Sequence, residues 1–453
     1  MLTGWGRTAP TRADVVAPDT VEQLRTAVCG AGHTTGGSPG RGVTVRGLGR
    51  SYGDAAQNAG GLVVDLTRLD RLLDLDVETG MLTVEAGASL DQLMRRLLPA
   101  GWFVPVTPGT RYVTVGGAIG TDIHGKNHHV AGSITEHVHE MELLTAHGEV
   151  RTLHPEGPGS EEFWATAGGM GLTGVVTRAR LDLIPVATSW MRVDTDRAGD
   201  LDALMALLSE RDEEYRYSVA WIDATATGAR TGRGVLTRGD HARLEDLPVR
   251  LRPRAREYAP RTLVTAPRRV PGHLLNRVSV RAFNEAWYRR HPAHRVGEIH
   301  GLSAFFHPLD AVAGWNSVYG QPGFVQYQFA VPFAAAETVR DAVNQLSMAG
   351  TPSFLAVLKR FGAANPGPLS FPRPGWTLAL DIPADVPGLA RLLDRLDEQV
   401  AAAGGSIYLA KDSRLRPELL PALYPRLDEW RTVRDRLDPQ RVFTSDLARR
   451  LAL

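Results

Sequence analysis

The spacing of apolar positions changes along this chain, and each change marks a different kind of element. Up to about residue 185 the apolar runs are short and broken by glycine turns. Residues 43–45 and 61–66 read as short buried strands, and Leu82-Thr-Val-Glu-Ala86 reads as another. At Ser89 the period becomes helical, with a serine cap, Asp91 in the first turn, and Leu90, Leu93, Met94, Leu97 and Leu98 on one face. An earlier helical run covers 21–31. Residues 141–145 and 148–153 form an expected hairpin turning at His147-Gly148, residues 161–166 a short helix, and residues 175–185 a strand.

Farther on, the segments lengthen. Amphipathic helices are expected at 200–211 and 334–349, and strands at 324–331 and 376–382. Residues 249–272 are rich in proline and arginine: positions 250–269 hold seven arginines and one acid, Glu257. That segment reads either as a solvated loop or as a mobile cationic flap facing an anionic substrate or lipid headgroups. From Gly405 the chain gives a strand at 406–410, the turn Lys411-Asp-Ser-Arg414, a helix and a short tail. The pattern as a whole predicts an α+β fold without repeats.

A chain of 453 residues exceeds one ordinary core, so two domains are expected. With 43% apolar and 22% charged residues it has the makeup of a soluble enzyme. Lys+Arg 51 against Asp+Glu 50 argues against a general nucleic-acid binder. The one cysteine, Cys29, rules out an intrachain disulfide and any multi-cysteine metal site. No signal-peptide core and no long apolar span are visible. A cytoplasmic or peripherally membrane-associated protein is therefore expected, the periplasmic face included.

Two glycine-rich stretches carry the chemistry: Arg46-Gly-Leu-Gly-Arg-Ser-Tyr-Gly-Asp54 and Pro108-Gly-Thr-Arg-Tyr-Val-Thr-Val-Gly-Gly-Ala-Ile-Gly120. Glycines let backbone N–H groups approach a ligand closely, and successive N–H groups form anion-binding concavities. Two such turns fit a pyrophosphate-bridged dinucleotide; a pair of tight turns with no ligand is the alternative. Neither is a P-loop, and Tyr52 stands where a Rossmann loop has its third glycine. Thr121-Asp-Ile-His-Gly-Lys-Asn-His-His129 follows the second stretch. Gly125 argues against a metal-binding helix there, so no metal is expected; His124 and Lys126 fit the reactive end of a cofactor, or else a polar surface loop. Lys411 follows an apolar strand, where burial would lower its pKa and suit it to proton transfer. By alternation Gln326 and Gln328 share one strand face, and residues 358–361 and Trp376 are candidates for the same cleft.

These residues carry a resemblance. Arg50-Ser-Tyr-Gly-Asp54 and Thr114-Val-Gly-Gly-Ala-Ile-Gly-Thr-Asp-Ile-His-Gly-Lys126 resemble the vanillyl-alcohol-oxidase (p-cresol-methylhydroxylase, PCMH-type) FAD-binding superfamily. From Leu2-Thr-Gly-Trp-Gly-Arg-Thr-Ala-Pro10 to Ser445-Asp-Leu-Ala-Arg-Arg450 the chain is similar to the decaprenylphosphoryl-β-D-ribose 2-oxidase family, through Phe163-Trp-Ala-Thr166, His307-Pro-Leu-Asp310, Leu369-Ser-Phe-Pro372 and Val442-Phe443 as well. The resemblance implies a two-domain flavoprotein. Residues 1–188 and the returning segment 405–453 would hold FAD, and residues 189–404 would form an inserted substrate domain with an antiparallel sheet flanked by helices. It assigns FAD contacts to Val45, Arg46, Gly47, Leu48, Gly49, Arg50, Ser51, Tyr52, Gly53, Asp54, Ala55, Gly109, Thr114, Val115, Gly116, Gly117, His124, Val176 and Tyr408. Tyr52, Lys126, Trp221, Gln328, Lys359, Thr377 and Lys411 fall to the substrate, with Lys411 as the essential polar group and His124 as the alternative base.

The implied reaction is FAD-dependent oxidation of the 2-hydroxyl of a polyprenylphosphoryl-β-D-ribose. The 2-keto product would pass to an NAD-dependent keto-reductase, completing epimerisation to the arabinose donor of cell-wall arabinan. A soluble alditol or aldonolactone oxidase of the same superfamily is the rival reading, and a flavin-binding accessory subunit without turnover is another. Asp54 stands where relatives carry a flavin-linking histidine, so non-covalent FAD is expected. Where the mycobacterial homologue has Trp-Asn-Ile-Cys, this chain reads Trp376-Thr-Leu-Ala379, and a pocket tyrosine is Phe306. These departures bear on substrate selectivity.

Overall fold

The computed structural model describes residues 1–32, 40–267 and 275–453. The fold is α+β. The described part of the first 185 residues builds a three-stranded and a five-stranded sheet, with a short antiparallel pair of Trp102–Phe103 and Ile184–Pro185. Strands Asp14–Val16 and Val43–Arg46 pair in parallel on either side of Leu62–Asp65, and helix Val21–Gly32 packs on this sheet through Leu24 and Val28. A five-stranded antiparallel sheet runs in the order Leu72–Leu75, Met81–Glu85, Val175–Asp182, Val138–Leu144, Val150–Leu153. The hairpin turns at Gly148, whose φ of +82° favours glycine. Helix Leu90–Leu97 starts at Ser89 in a capping box with Gln92 and buries Leu90, Leu93, Met94 and Leu97.

The middle of the chain folds into an eight-stranded sheet in which every neighbouring pair is antiparallel. Its order is His294–Gly301, Trp190–Ala198, Gly234–His241, Tyr217–Ile222, Ala356–Phe361, Gly375–Pro383, Phe324–Val331, Ser406–Ile407. Helices Leu201–Ser209, Ala336–Met348 and Leu389–Ala402 cover one face, burying Leu204, Leu208, Leu346, Leu393 and Leu396. Among the described residues no helix is long and apolar enough to cross a membrane.

Two expectations change. The strand expected at 406–410 is only Ser406–Ile407. The Tyr408 amide makes a last bond to the Gln328 carbonyl, and the chain then turns: the Lys411 and Asp412 amides donate to the Tyr408 carbonyl, while the Asp412 carboxylate accepts from the Arg414 and Leu415 amides. Lys411 therefore sits in a turn. The Pro/Arg-rich segment is tethered over its described part. Leu251 and Ala255 pack with Ala242, Leu247, Trp190 and Ile299, the Ser189 hydroxyl donates to the Glu257 carbonyl at 2.6 Å, and Val264–Thr265 pairs with Val312–Ala313. Residues 268–272 of that segment lie outside the described residues.

The carboxyl-terminal residues tie the sheets together. After Ser406–Ile407 they return to the parallel sheet, where the Val43 amide donates to the Val442 carbonyl and the Thr444 amide to the Val43 carbonyl. At the end, Arg450 grips Asp54 through two hydrogen bonds of 2.8 and 3.0 Å and reaches Asp412 at 2.8 Å. Removing one partner of a largely buried ion pair leaves the other charge uncompensated, a cost of about 3–5 kcal/mol. Arg450→Met is expected to lower the unfolding free energy by about that amount, measured by urea denaturation.

Candidate active site

Strand Val43–Arg46 delivers the first glycine loop to the middle of the molecule. Gly49 has φ +63°, in the region that favours glycine. A Cβ on Gly47 would stand 2.2 Å from Thr114 Oγ1, so this loop is pressed against the second. Thr114 in turn caps the short helix Val115–Gly120, accepting from the Gly117 amide at 3.2 Å. The Arg50 guanidinium lies 4.1 Å over the Trp5 ring, and burial lowers its pKa. A latch of buried polar groups holds the second loop: the Asp310 carboxylate accepts from the Thr110 hydroxyl at 2.8 Å and the Arg111 amide at 2.9 Å, and His307 Nε2 pairs with the Thr107 hydroxyl at 2.8 Å.

The loops open on a cavity of about 710 Å³. From the first loop it is lined by Val45, Gly47, Leu48, Gly49, Arg50, Ser51, Tyr52 and Ala55. Gly109, Thr114, Gly116, Gly117 and His124 come from the second, with Val176 and Tyr408 beside them. Lys126, Trp221, Gln328, Lys359 and Lys411 line it too. Other nominated residues lie outside. Arg46 donates to the Ala56 and Thr3 carbonyls at 2.9 and 3.0 Å. Gly53 lies against the Asp412 backbone, Asp54 is held by Arg450, and Val115 is in the core. Thr377 shares the sheet face of Lys359 and Ala379 but does not line the cavity; its hydroxyl accepts from Gln328 at 3.1 Å and donates to the Phe329 carbonyl at 2.9 Å. Of residues 358–361, only Lys359 faces the cavity. Arg360 points to the other side of the sheet, lying 4.7 Å over Phe333 and 5.8 Å over Trp376. The histidines of 124–129 diverge: His128 Nδ1 accepts from the Gly362 amide and His129 Nε2 pairs with the Tyr215 carbonyl.

One register row of the large sheet forms the far wall. Val235, Trp221, Val357, Ala379 and Gln328 are successive cross-strand partners, and all face the cavity. The row runs from apolar to polar, ending where the Gln328 amide donates to His124 Nε2 at 3.0 Å. That bond leaves the proton on His124 Nδ1, which has no protein partner; Gln326 Oε1 and Gln328 Oε1 have none either. Val219, Val235, Thr237, Trp287, Arg290, His291 and His300 also line the cavity without having been nominated. For Val219, Val235 and Thr237 the signal was strand alternation; it does not say which face meets the ligand.

Charge in the cavity is one-sided. Among the described residues no aspartate or glutamate lines it, whereas Arg50, Lys126, Arg290, Lys359 and Lys411 do. Burial lowers Lys126 and Lys359 each to about 7, the charges of Lys411 and Lys126 adding to the effect on Lys359. Burial also lowers the Lys411 amine, opposed by the nearby Asp381 carboxylate. Asp381 is fully buried next to the wall, on the same sheet face as Ala379 and Gln326 but not lining the cavity; burial raises its pKa, and the Gln326 amide donates to it. Burial and then Lys359 and Lys411 hold His124 well below the ordinary histidine value, so it is neutral.

Comparison with known proteins agrees with this geometry. Residues 13–154 match an FAD-binding-domain family, and residues 382–451 match the D-arabinono-1,4-lactone oxidase family. The whole chain is 48% identical to decaprenylphosphoryl-β-D-ribose oxidase of Mycolicibacterium smegmatis, covering 97% of that protein. The chain belongs to the decaprenylphosphoryl-β-D-ribose oxidase family. An uncharacterized Streptomyces coelicolor protein is 46% identical over 81% of this chain and 100% of its own length. L-gulono-1,4-lactone dehydrogenase of Mycobacterium tuberculosis is 34% identical over only 33% of the chain.

The cavity fits the FAD of this family. Its glycine loops carry little side-chain bulk, its lining is cationic, and unpartnered polar atoms of His124, Gln326 and Gln328 stand at its inner end. Ala379 and Phe306, the positions at which the resemblance implies a departure in the pocket, both line the cavity. The first loop is the sterically critical one. A Cβ on Gly53 would fall 1.9 Å from the Asp412 carbonyl oxygen, whereas one on Gly109 meets nothing within 4 Å. Gly53→Ala is expected to cost about 1–3 kcal/mol of stability and Gly109→Ala no more than about 0.5 kcal/mol, measured by urea unfolding.

Proposed function

We propose that this protein oxidises the 2-hydroxyl of a polyprenylphosphoryl-β-D-ribose to the 2-keto sugar, using FAD. The observation that carries the reading is a single cavity joining the glycine loops to a proton-handling cluster of Lys411, His124 and Gln328, in a chain similar from end to end to decaprenylphosphoryl-β-D-ribose oxidase. FAD supplies the hydride acceptor. The glycine loops and Arg50 hold it, residues 1–188 and 405–453 serving the cofactor and 189–404 the substrate. Ser406–Ile407 nevertheless stands on the substrate sheet, so Lys411 hangs from the seam between the two.

Lys411 takes the hydroxyl proton. Burial disfavours its ammonium form, so a neutral amine is within reach at mild pH. His124 is the lesser candidate, because its Nε2 is engaged by Gln328 and its Nδ1 carries the proton. It serves as a donor orienting the substrate. FAD is bound non-covalently: Asp54, at the linking position, is committed to Arg450 outside the cavity. The keto product requires a hydride donor to complete epimerisation at the same carbon, which an NAD-dependent reductase partner supplies on the way to the arabinose donor of cell-wall arabinan. Peripheral membrane contact suits a lipid substrate, and helix Arg277–Arg290 exposes Val278 and Phe283 among arginines.

A second reading, an aldonolactone or alditol oxidase, is favoured by the match of residues 382–451. Anaerobic mixing separates the two. Bleaching of the visible flavin band by farnesylphosphoryl-β-D-ribose supports the first reading, and bleaching by free aldonolactones or alditols alone supports the second.

Acid precipitation is expected to leave the yellow colour in the supernatant; a flavinylated peptide in the pellet would refute non-covalent binding. Lys411→Ala is expected to keep FAD and lose about 10²–10⁴-fold in kcat. Because the base must be unprotonated, kcat is expected to rise with pH through an apparent pKa below the ordinary lysine value of about 10.4, and Lys411→Ala to abolish that limb.

A further inference from the structure

We propose that Lys126 and Lys359 form the seat for the phosphodiester of the lipid-linked sugar, placing the ring toward Lys411 and the tail along the apolar end of the sheet row. This inference rests on the function proposed above and names the element that selects a phosphorylated substrate.

The argument begins from unmatched charge. Both side chains are half-buried in the cavity wall, and among the described residues neither has a carboxylate within ion-pair distance. Lys126 donates to the Phe305 carbonyl and lies 4.3 Å over the Phe305 ring; Lys359 donates to the Gly125 carbonyl at 3.3 Å. An ammonium carries three donors, so each lysine has capacity beyond its one carbonyl. Charges withdrawn from water are ordinarily paired, and Lys126 and Lys359 lie near enough for the charge of one to disfavour that of the other. One anion between them removes both penalties.

Position decides which anion. The glycine loops have their own cation, Arg50, and Lys411 has Asp381. Lys359 instead stands on the large sheet, two residues from Val357 on the same strand face. Val357 pairs with Trp221, and Trp221 with Val235, an apolar strip suited to a prenyl chain. On the other side Val357 pairs with Ala379, which pairs with Gln328 at the reacting end. A group bearing an anion, a sugar on one side and a hydrocarbon on the other matches that order.

The test uses the FAD-loaded enzyme with Lys126→Met and Lys359→Met, plus the Arg variant at each position. Binding of farnesyl phosphate and of farnesol is read by flavin fluorescence, and kcat/KM is compared for farnesylphosphoryl-β-D-ribose and methyl β-D-ribofuranoside. Each Met variant is expected to lower the phosphate-over-alcohol affinity ratio about 10–100-fold, as expected for losing a charge-assisted hydrogen bond, with partial recovery in the Arg variants. The kcat/KM ratio should fall in parallel. A wild-type affinity ratio below about tenfold, or Met variants that keep the wild-type ratio, overturns the seat. Variants that shed FAD while keeping the ratio assign the lysines to the cofactor and also overturn it. If wild type prefers farnesyl phosphate but oxidises neither glycoside, the seat stands and the proposed reaction fails.

Discussion

The structure depends on one backbone contact, the packing of residues 51–54 against the turn at 408–412. The Tyr52 amide donates to the Ala410 carbonyl at 2.9 Å, and Gly53 presses on the Asp412 carbonyl with no room for a Cβ. From the opposite side the Trp5 amide donates to the Ser51 carbonyl, and Gly4 is equally tight against Gly53. The first glycine loop is thus clamped between the two chain ends. Everything the site needs hangs on this clamp, because the same turn carries Tyr408 and Lys411 and the same loop carries Arg50 and Tyr52. The Arg450 bridge to Asp54 and Asp412 closes it electrostatically where backbone contact closes it sterically.

The clamp also accounts for the charge in the cavity. Burying several cations without carboxylates in the lining is unfavourable on its own, and only a rigid frame holds them there before ligands arrive. Carboxylates are present but withheld. Asp310 is committed to the second loop, Asp54 to Arg450, and Asp381 to Gln326. The acids therefore shape the backbone while the bases face the ligands. For a substrate and a cofactor that are both anionic, this division keeps the cavity attractive without letting it neutralise itself.

Much of the fold was legible in the spacing of apolar residues. Ser89, Asp200 and the alternation in 324–331 mark their elements because each is set by local chemistry: a cap, a cap and a buried face. The error at 406–410 has the same cause in reverse. Ser406 to Ala410 is apolar enough to continue a strand, but the Tyr408 carbonyl captures two later amides, a competition that composition does not reveal. The site was legible where glycine, histidine and lysine cluster along the sequence. It was not where distant strands supply one residue each: Val235 and Val357 join Trp221, which the resemblance had assigned, in a wall only through register, and Trp5 comes in only through the return of the amino terminus. Arg46 and Asp54, which the resemblance assigns to FAD, are engaged elsewhere, Arg46 by the Ala56 and Thr3 carbonyls and Asp54 by Arg450.

Asp381 shows how neighbouring positions on one strand face divide tuning from contact. It pairs with Gln326 across the sheet and does not line the cavity, yet it is the acid whose charge opposes the desolvation of Lys411. An acid in direct contact would lock the amine as an ammonium ion, useless as a base. No acid at all would leave the amine neutral but unable to hold the proton it receives. A carboxylate beside Gln326 and bonded to it, itself biased toward protonation by burial, gives the lysine a partner that opposes its desolvation without fixing its charge. In the role proposed for Lys411 as base, an acid engaged by Gln326 rather than by the amine is what lets a buried lysine both accept a proton and release it.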